Sequence, residues 1–469
     1  MITTETKIQP VSQEVLKQTQ NEEEFRDYPY RWWIVVLFCF PNMMNGIEWI
    51  TFSSISSQVQ QAYDQTQFVV TLTSLVWMII YVFINFPSNY ILSDKGLKIG
   101  VFTGIFFTIL GAWVRLLINE SFGWAILGQI FGAIGQPFIL NAPAQIASVW
   151  FKPKQRQMAT AILSLINIIG VGIGFLFPSF IVSSTYSNDT RNQIYDLMLV
   201  QAIVITACCI PSVIFFREKP PTPPSHAANT EKTTFRESMP KLIKDKDFLY
   251  LYISFGCILG NFNSIATLIN FYLEKFSYTT DETSYVGAIF IVSGLIGSAI
   301  ITSIVEKNHR YKFVMIVTSV ISIFCYSFMM GVLPIENFGL QCFAFFLYGF
   351  FATPLIPISL EFACEITFPI SETISSGLIY KSGQLFGVLH IIISAQAIGV
   401  DSQNNVYICL GIGLIIQIIG LICIALVNEN LKRKHEEKKQ SEQKIKLTEY
   451  PQSIQLVQEN SSKQTSSNN

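Results

Sequence analysis

Twelve stretches of this chain are predominantly apolar for 20 residues or more, and that feature decides what it can fold into. They run over 33–57, 68–92, 98–118, 123–150, 157–183, 195–216, 248–272, 284–305, 312–333, 339–364, 372–399 and 404–427. A helix needs about 20 apolar residues to cross the hydrocarbon of a bilayer. No water reaches the backbone there, so each run must pair its own N–H and C=O groups and is expected to be helical. Composition agrees. Of 469 residues, 50% are hydrophobic and only 13% charged, against about 25% charged in soluble domains. Pro137, Pro143, Pro354 and Pro357 fall inside runs and are expected to be tolerated without breaking them. The first 25 residues are polar and show no basic start and apolar core of a cleavable signal, so the first run is expected to be a true span.

Basic residues set the orientation. Gaps after even-numbered runs carry Lys95 and Lys98, then Lys152, Lys154 and Arg156, then Lys307, Arg310 and Lys312. Gaps after odd-numbered runs carry Asp64, Glu120, Asp189, Asp281, Glu282, Glu336 and Asp401. Both tails are therefore expected in the cytosol, with the plasma membrane as the host. Glycosylation sequons at Asn119 and Asn188 fall in the outer gaps, while one at Asn460 falls in the tail. The expected organisation is a cytosolic N-terminal tail (1–29), a six-helix half (30–216), a cytosolic linker (217–247), a second half (248–427) and a disordered tail (428–469). The linker owes its place to Pro220, Pro221, Pro223 and Pro224 and to its charge. The gaps Ser93–Lys98 and Glu306–Lys312 are both short, acidic first and then basic, a weak internal repeat of the kind halves rocking about a central site would carry.

Several function classes fall away. A net charge of −1 offers nothing to nucleic acid. The nine cysteines all lie in apolar runs without metal-type spacing, and read as small buried hydrophobes. With four histidines and no nucleophile motif, no enzyme activity, metal or cofactor is expected. A non-transporting receptor would not need inward polar residues in both halves.

Specific segments narrow the reading. Asn45–Ser53, Ala142–Phe151, Ala266–Asn270, Glu361–Glu372, Ser375–Leu378 and Gly383–Gly387 resemble the feline leukaemia virus subgroup C receptor-related family within the major facilitator superfamily, over roughly residues 30–427. The general loop signature of that superfamily is degenerate, with Ser93 at its usual Asp position and Asp94 one place later. The resemblance implies an all-α membrane protein with the major facilitator fold, two six-helix halves with pseudo-two-fold symmetry around a central cavity lined by spans 1, 4, 7, 10 and 11. It implies alternating-access transport of a small organic solute, choline or ethanolamine first, with haem or another organic anion or vitamin as the alternative. Haem would want axial ligands, and His390 is the one histidine in a span; it reads better as a packed polar residue. A monomer is expected, with a small-molecule substrate and the bilayer as its partners.

The resemblance also assigns residues. Trp49 matches a tryptophan around which the family's aromatic choline cage is built, and a cation on an aromatic face is held by about 0.5–2 kcal/mol. Gln136 and Gln384 match two pocket glutamines. Asn263 stands where choline-transporting relatives carry tyrosine, which removes one wall; its neighbour Phe262 would point about 100° away, and Tyr380 could substitute. Glu48 and Lys381 add charges where relatives carry an amide and a small residue. Either they pair, or they serve an anionic or zwitterionic substrate, or Lys381 snorkels to the inner interface. Arg115 is expected to snorkel at the outer end of span 3. Asp94, Lys95, Lys98, Arg156, Glu361, Glu365 and Glu372 are expected to act as gates and inner turns.

Overall fold

The computed structural model describes residues 28–183, 187, 189–222, 235–398, 403–436 and 439. The sites at Asn188, Asp401, Asn460, Pro223 and Pro224 lie outside them, as does most of each tail. Among the described residues, 12 helices are long and apolar enough to cross a membrane. They are α1 (Tyr30–Ser54), α2 (Gln67–Lys95), α3 (Leu97–Asn119), α4 (Phe122–Trp150), α5 (Met158–Phe180) and α6 (Thr190–Phe215), then α7 (Lys246–Glu274), α8 (Thr280–Val305), α9 (Tyr311–Ile335), α10 (Phe338–Thr367), α11 (Glu372–Ser394) and α12 (Gln403–Leu426). We call the side bearing the α6–α7 connection the linker face and the opposite side the far face.

Burial sorts the helices into a centre and a rim. In α1 and α7, 78% and 83% of the apolar window is buried, against 39%, 39% and 33% in α6, α9 and α12. The rim helices turn residues such as Phe324, Ile203 and Ile415 outward, as lipid-facing surfaces require. Within a half, α1 packs on α5 and α3 on α4; in the other, α7 packs on α11 and α8 on α10. The halves meet along α2–α11 and α5–α8. Small residues allow the closest approaches. A Cβ on Gly170 of α5 would lie 2.1 Å from the Met43 carbonyl oxygen of α1.

Two spans are not continuous, contrary to the expectation from their prolines. α4 divides into Phe122–Leu140 and Pro143–Trp150, and α10 into Phe338–Ala352 and Leu355–Thr367. The interruptions fall at corresponding places in the two halves. Pro143 opens its second piece, where its missing N–H costs nothing; Pro137 and Pro357 stay inside helix. At the α4 break the backbone N–H groups stay paired, Asn141 donating to the Pro137 carbonyl (3.2 Å) and Ala142 to the Ile139 carbonyl (3.3 Å), as lipid requires, while the Asn141 side chain accepts from the Tyr81 hydroxyl (2.6 Å) and donates to Ser88 (3.2 Å).

The polar connections are less featureless than their composition suggests. The 217–247 linker carries a helix, Phe235–Lys244, with Leu242 fully buried. Phe235 packs on Phe86 of α2. Beyond α12, residues 428–434 are hydrogen-bonded to the second half, so the disorder expected from 428 onward does not describe its start.

Candidate functional site

A small cavity of about 40 Å³, counted as the space open to the centre of a water molecule, lies between the halves. Five of the seven expected substrate residues line it: Trp49, Gln136, Asn263, Tyr380 and Gln384. Its aromatic walls come from Trp49 of α1, Phe262 of α7 and Tyr380 of α11. Phe262 lines the cavity together with its neighbour Asn263, against the expectation that it points away. Its ring is set against Phe290 (5.3 Å between centroids), and Tyr380 stands edge-on to Phe255 (5.6 Å). With Trp49, these two rings make up the aromatic part of the lining.

The polar walls are amides and a hydroxyl. Asn263 donates to Gln384 at 3.3 Å. Ser164 and Asn167 bring α5 into the lining, a helix absent from the expected set. Asn167 also donates to the Asn42 carbonyl (2.9 Å), tying α5 to α1. Trp49 Nε1 and Gln136 Oε1 are buried without a hydrogen-bond partner. One is a donor and the other an acceptor, so they are the groups a polar ligand would satisfy. Among the described residues, no charged side chain lines the cavity.

The two added charges lie elsewhere. Glu48 is fully buried and faces Arg115, 3.5 Å away and equally buried. The pair sits where α3 and α4 present glycines: a Cβ on Gly111 would lie 2.9 Å from Glu48 Oε1, and one on Gly128 2.4 Å from Arg115 Cγ. Arg115 therefore does not snorkel, and Glu48 does not pair with Lys381. Adjacent helical residues point about 100° apart; directing Trp49 into the cavity turns Glu48 toward α3 and α4. The same rotation in α11 sends Lys381 away from Tyr380. Lys381 is half-buried, its Nζ 3.8 Å from the centre of the Phe86 ring on α2. His390 is buried, its Nε2 3.4 Å from the Cys409 carbonyl oxygen, and does not line the cavity.

The cavity is closed toward both faces by bonds between the halves. On the far side, Asn270 of α7 donates to Ser56 (2.8 Å) and Ser57 (3.0 Å), Ser57 donates to Glu274, and Gln58 donates to Thr280 (3.3 Å). On the linker side, Asn85 of α2 donates to the Gly377 carbonyl of α11 (2.9 Å), and Thr373 to Gln145 (3.3 Å). These seal residues were not recognised individually from sequence. Asn270 and Gln145 do fall in segments that carried the family resemblance.

The expected gate residues all lie on the linker side. Asp94 and Lys95 are exposed in the last turn of α2, and Lys98 follows in α3 with its Nζ over Phe102. Arg156 is buried just before α5. Glu361 and Glu365 occupy the end of α10 and Glu372 the start of α11. Glu361 shares a smaller space with Thr160 and Ser164, and Ser164 also lines the main cavity.

With this geometry established, comparison with known proteins gives a consistent result. The family model described as Major Facilitator Superfamily matches residues 38–389. The choline/ethanolamine transporter FLVCR1 of Felis catus is 31% identical over 86% of this chain and 73% of its own length. The choline/ethanolamine transporter FLVCR2 of Homo sapiens is 29% identical over 89% of this chain and 81% of its own. Among solved structures, the transporter FucP in its outward conformation superposes with a TM-score of 0.64 at 14% identity, covering 84% of this chain and 98% of FucP. A bacterial homologue of the lysosomal transporter Spinster, inward-facing, gives 0.62 at 13%, covering 87% and 99%.

Proposed function

This chain belongs to the major facilitator superfamily, in its feline leukaemia virus subgroup C receptor-related branch, and from that premise we propose that the solute it carries by alternating access is a small organic amine of the choline or ethanolamine kind. The observation that carries the reading is the cavity lining: three aromatic rings, from Trp49, Phe262 and Tyr380, beside the amides Gln136, Asn263 and Gln384, with no charged side chain. A quaternary ammonium needs aromatic faces rather than a counter-ion, at about 0.5–2 kcal/mol per desolvated contact. Its hydroxyl, or the amine of ethanolamine, can bond the free Gln136 Oε1. The relatives' names agree with this choice.

A haem or other organic anion finds less here. Among the described residues no basic side chain faces the cavity, and His390 is held against Cys409. The basic residues of the linker face, among them Lys95, Lys98, Lys312 and Arg310, support a cytosolic linker and tails; a plasma-membrane host and a single chain as the working unit complete the proposal.

Uptake of labelled choline and ethanolamine tests the reading. Trp49→Ala and Phe262→Ala are each expected to lower saturable uptake at least tenfold, with unchanged amounts of protein at the membrane. A factor of ten corresponds to about 1.4 kcal/mol, within the range of one cation–π contact. Uptake unaffected by both changes would remove the aromatic cage as the site.

A further inference from the structure

The first residues beyond α12 are fastened across the linker face of the second half. Asn428 donates from its backbone N–H (2.9 Å) and its amide (3.0 Å) to Asp247 at the start of α7. Glu429 accepts from the backbone N–H of Lys312 at the start of α9 (3.3 Å). Lys432 Nζ lies 3.4 Å from Asp245. Arg433 Nη1 lies 3.5 Å from Glu361, and the backbone N–H of Lys434 donates to Glu365 (3.2 Å), both at the end of α10.

Arg433 stands apart in this segment. It lies outside every span, yet its exposure is only 7%. Burial works against its charge, but the carboxylates of Glu361, Glu372 and Glu365 outweigh it and hold the guanidinium above its ordinary value. The same three acids sit beside the linker-side seal. Glu361 borders Thr160 and Ser164 of the first half. Glu372 directly precedes Thr373, which bonds Gln145 across the halves, and Gly377 one turn on accepts from Asn85.

We propose that Arg433 is a positioning residue for the linker-side gate: set among Glu361, Glu365 and Glu372, it holds the adjoining ends of α10 and α11 in the closed arrangement, and the segment 428–434 is a clasp built from the chain's own tail. The physical reason is charge crowding. Three carboxylates at the meeting ends of two helices repel one another where water is scarce. One buried guanidinium, with five donors in a fixed fork, can neutralise and bridge several of them. Without it, the repulsion relaxes by separation of α10 from α11, which pulls Thr373 and Gly377 away from the first half and opens the cavity toward the linker face.

The test reads gate position directly, so it does not depend on which solute is carried. In a full-length protein with the nine native cysteines replaced, Ser164→Cys reports access to the cavity floor. A membrane-impermeant thiol reagent is applied from the linker face and, separately, from the far face. Arg433→Ala and Arg433→Gln are each expected to raise the linker-to-far labelling ratio at least threefold. Removing residues 437–469 is expected to leave the ratio unchanged, since that cut keeps the clasp. Membrane expression is checked for each, and an unchanged ratio in either Arg433 variant that reaches the membrane overturns the proposal. So does a rise on removing 437–469 that matches the Arg433 effect, because the control would then lie in the distal tail.

Discussion

The placement of Glu48 is decided at the scale of single residues. It neighbours Trp49 in sequence, yet one lines the cavity and the other is sealed among α1, α3 and α4 with Arg115. Neither member of the pair has another hydrogen-bond partner: Glu48 Oε1 and Oε2 and Arg115 Nε, Nη1 and Nη2 are all without one. Attraction between the two charges must therefore offset most of their lost hydration. Removing one partner from such a pair typically costs about 3–5 kcal/mol, while removing both can be close to neutral. Glu48→Gln and Arg115→Gln are each expected to lower thermal stability strongly. The double change should recover most of the loss, since two amides can bond each other. A double-mutant cycle followed by thermal unfolding in detergent measures it; additive losses would mean that the 3.5 Å contact carries no coupling.

At the scale of elements, packing hangs on where side chains are missing. α5 approaches α1 at Gly170, where an added Cβ would meet the Met43 carbonyl oxygen at 2.1 Å. Backbone cannot rotate aside as a side chain can, so α1 itself would have to shift. Gly170→Ala is expected to cost about 1–3 kcal/mol, the usual range for overpacking, and to reduce transport, since α1 and α5 both line the cavity. Gly411 of α12 offers the contrast, with nothing within 4 Å of its added Cβ. Gly411→Ala should hold or raise stability, by up to about 1 kcal/mol from helix propensity. Melting temperatures of the two variants that moved together would show that propensity, not contact, governs these positions.

At the scale of the whole molecule, the cavity lies behind two seals, and alternating access requires that they open in turn. The far seal centres on Asn270, whose amide nitrogen, with two N–H donors, lies within 3.0 Å of Ser56, Ser57 and Glu274 oxygens. The linker seal uses Asn85 and Thr373. Weakening one seal shifts the population toward the face it closes. Asn270→Ala is expected to raise far-side labelling of Ser164→Cys severalfold, and Asn85→Ala to raise labelling from the linker side. Identical changes in the two variants would exclude independent control of the faces.

Much of this was legible in the sequence because the bilayer imposes it. Spans of about 20 apolar residues can only be helices in lipid, so their number, and the even and odd sides of their connections, follow from composition alone. Trp49, Gln136, Asn263 and Gln384 could be singled out by resemblance, and Tyr380 by standing four residues before Gln384 on one helix, and all five line the cavity. Rotation about the helix axis was not legible, because it depends on neighbours distant in sequence. Whether Glu48 meets Lys381 or Arg115 depends on how α1 turns against α3 and α4, and there glycines at 111, 128 and 132 make the room. The breaks in α4 and α10 were equally hidden, since Pro137 and Pro357 are helical while the chain breaks at Asn141 and Pro354. Arg433 looked like one more charge in a polar tail. Only the tertiary fold, by bringing the ends of α10 and α11 together beneath it, gave that charge three carboxylates to meet. Sequence set which segments cross the membrane, because that cost is local to each segment; the fold decided which side chains face one another, because that depends on how the helices turn and pack.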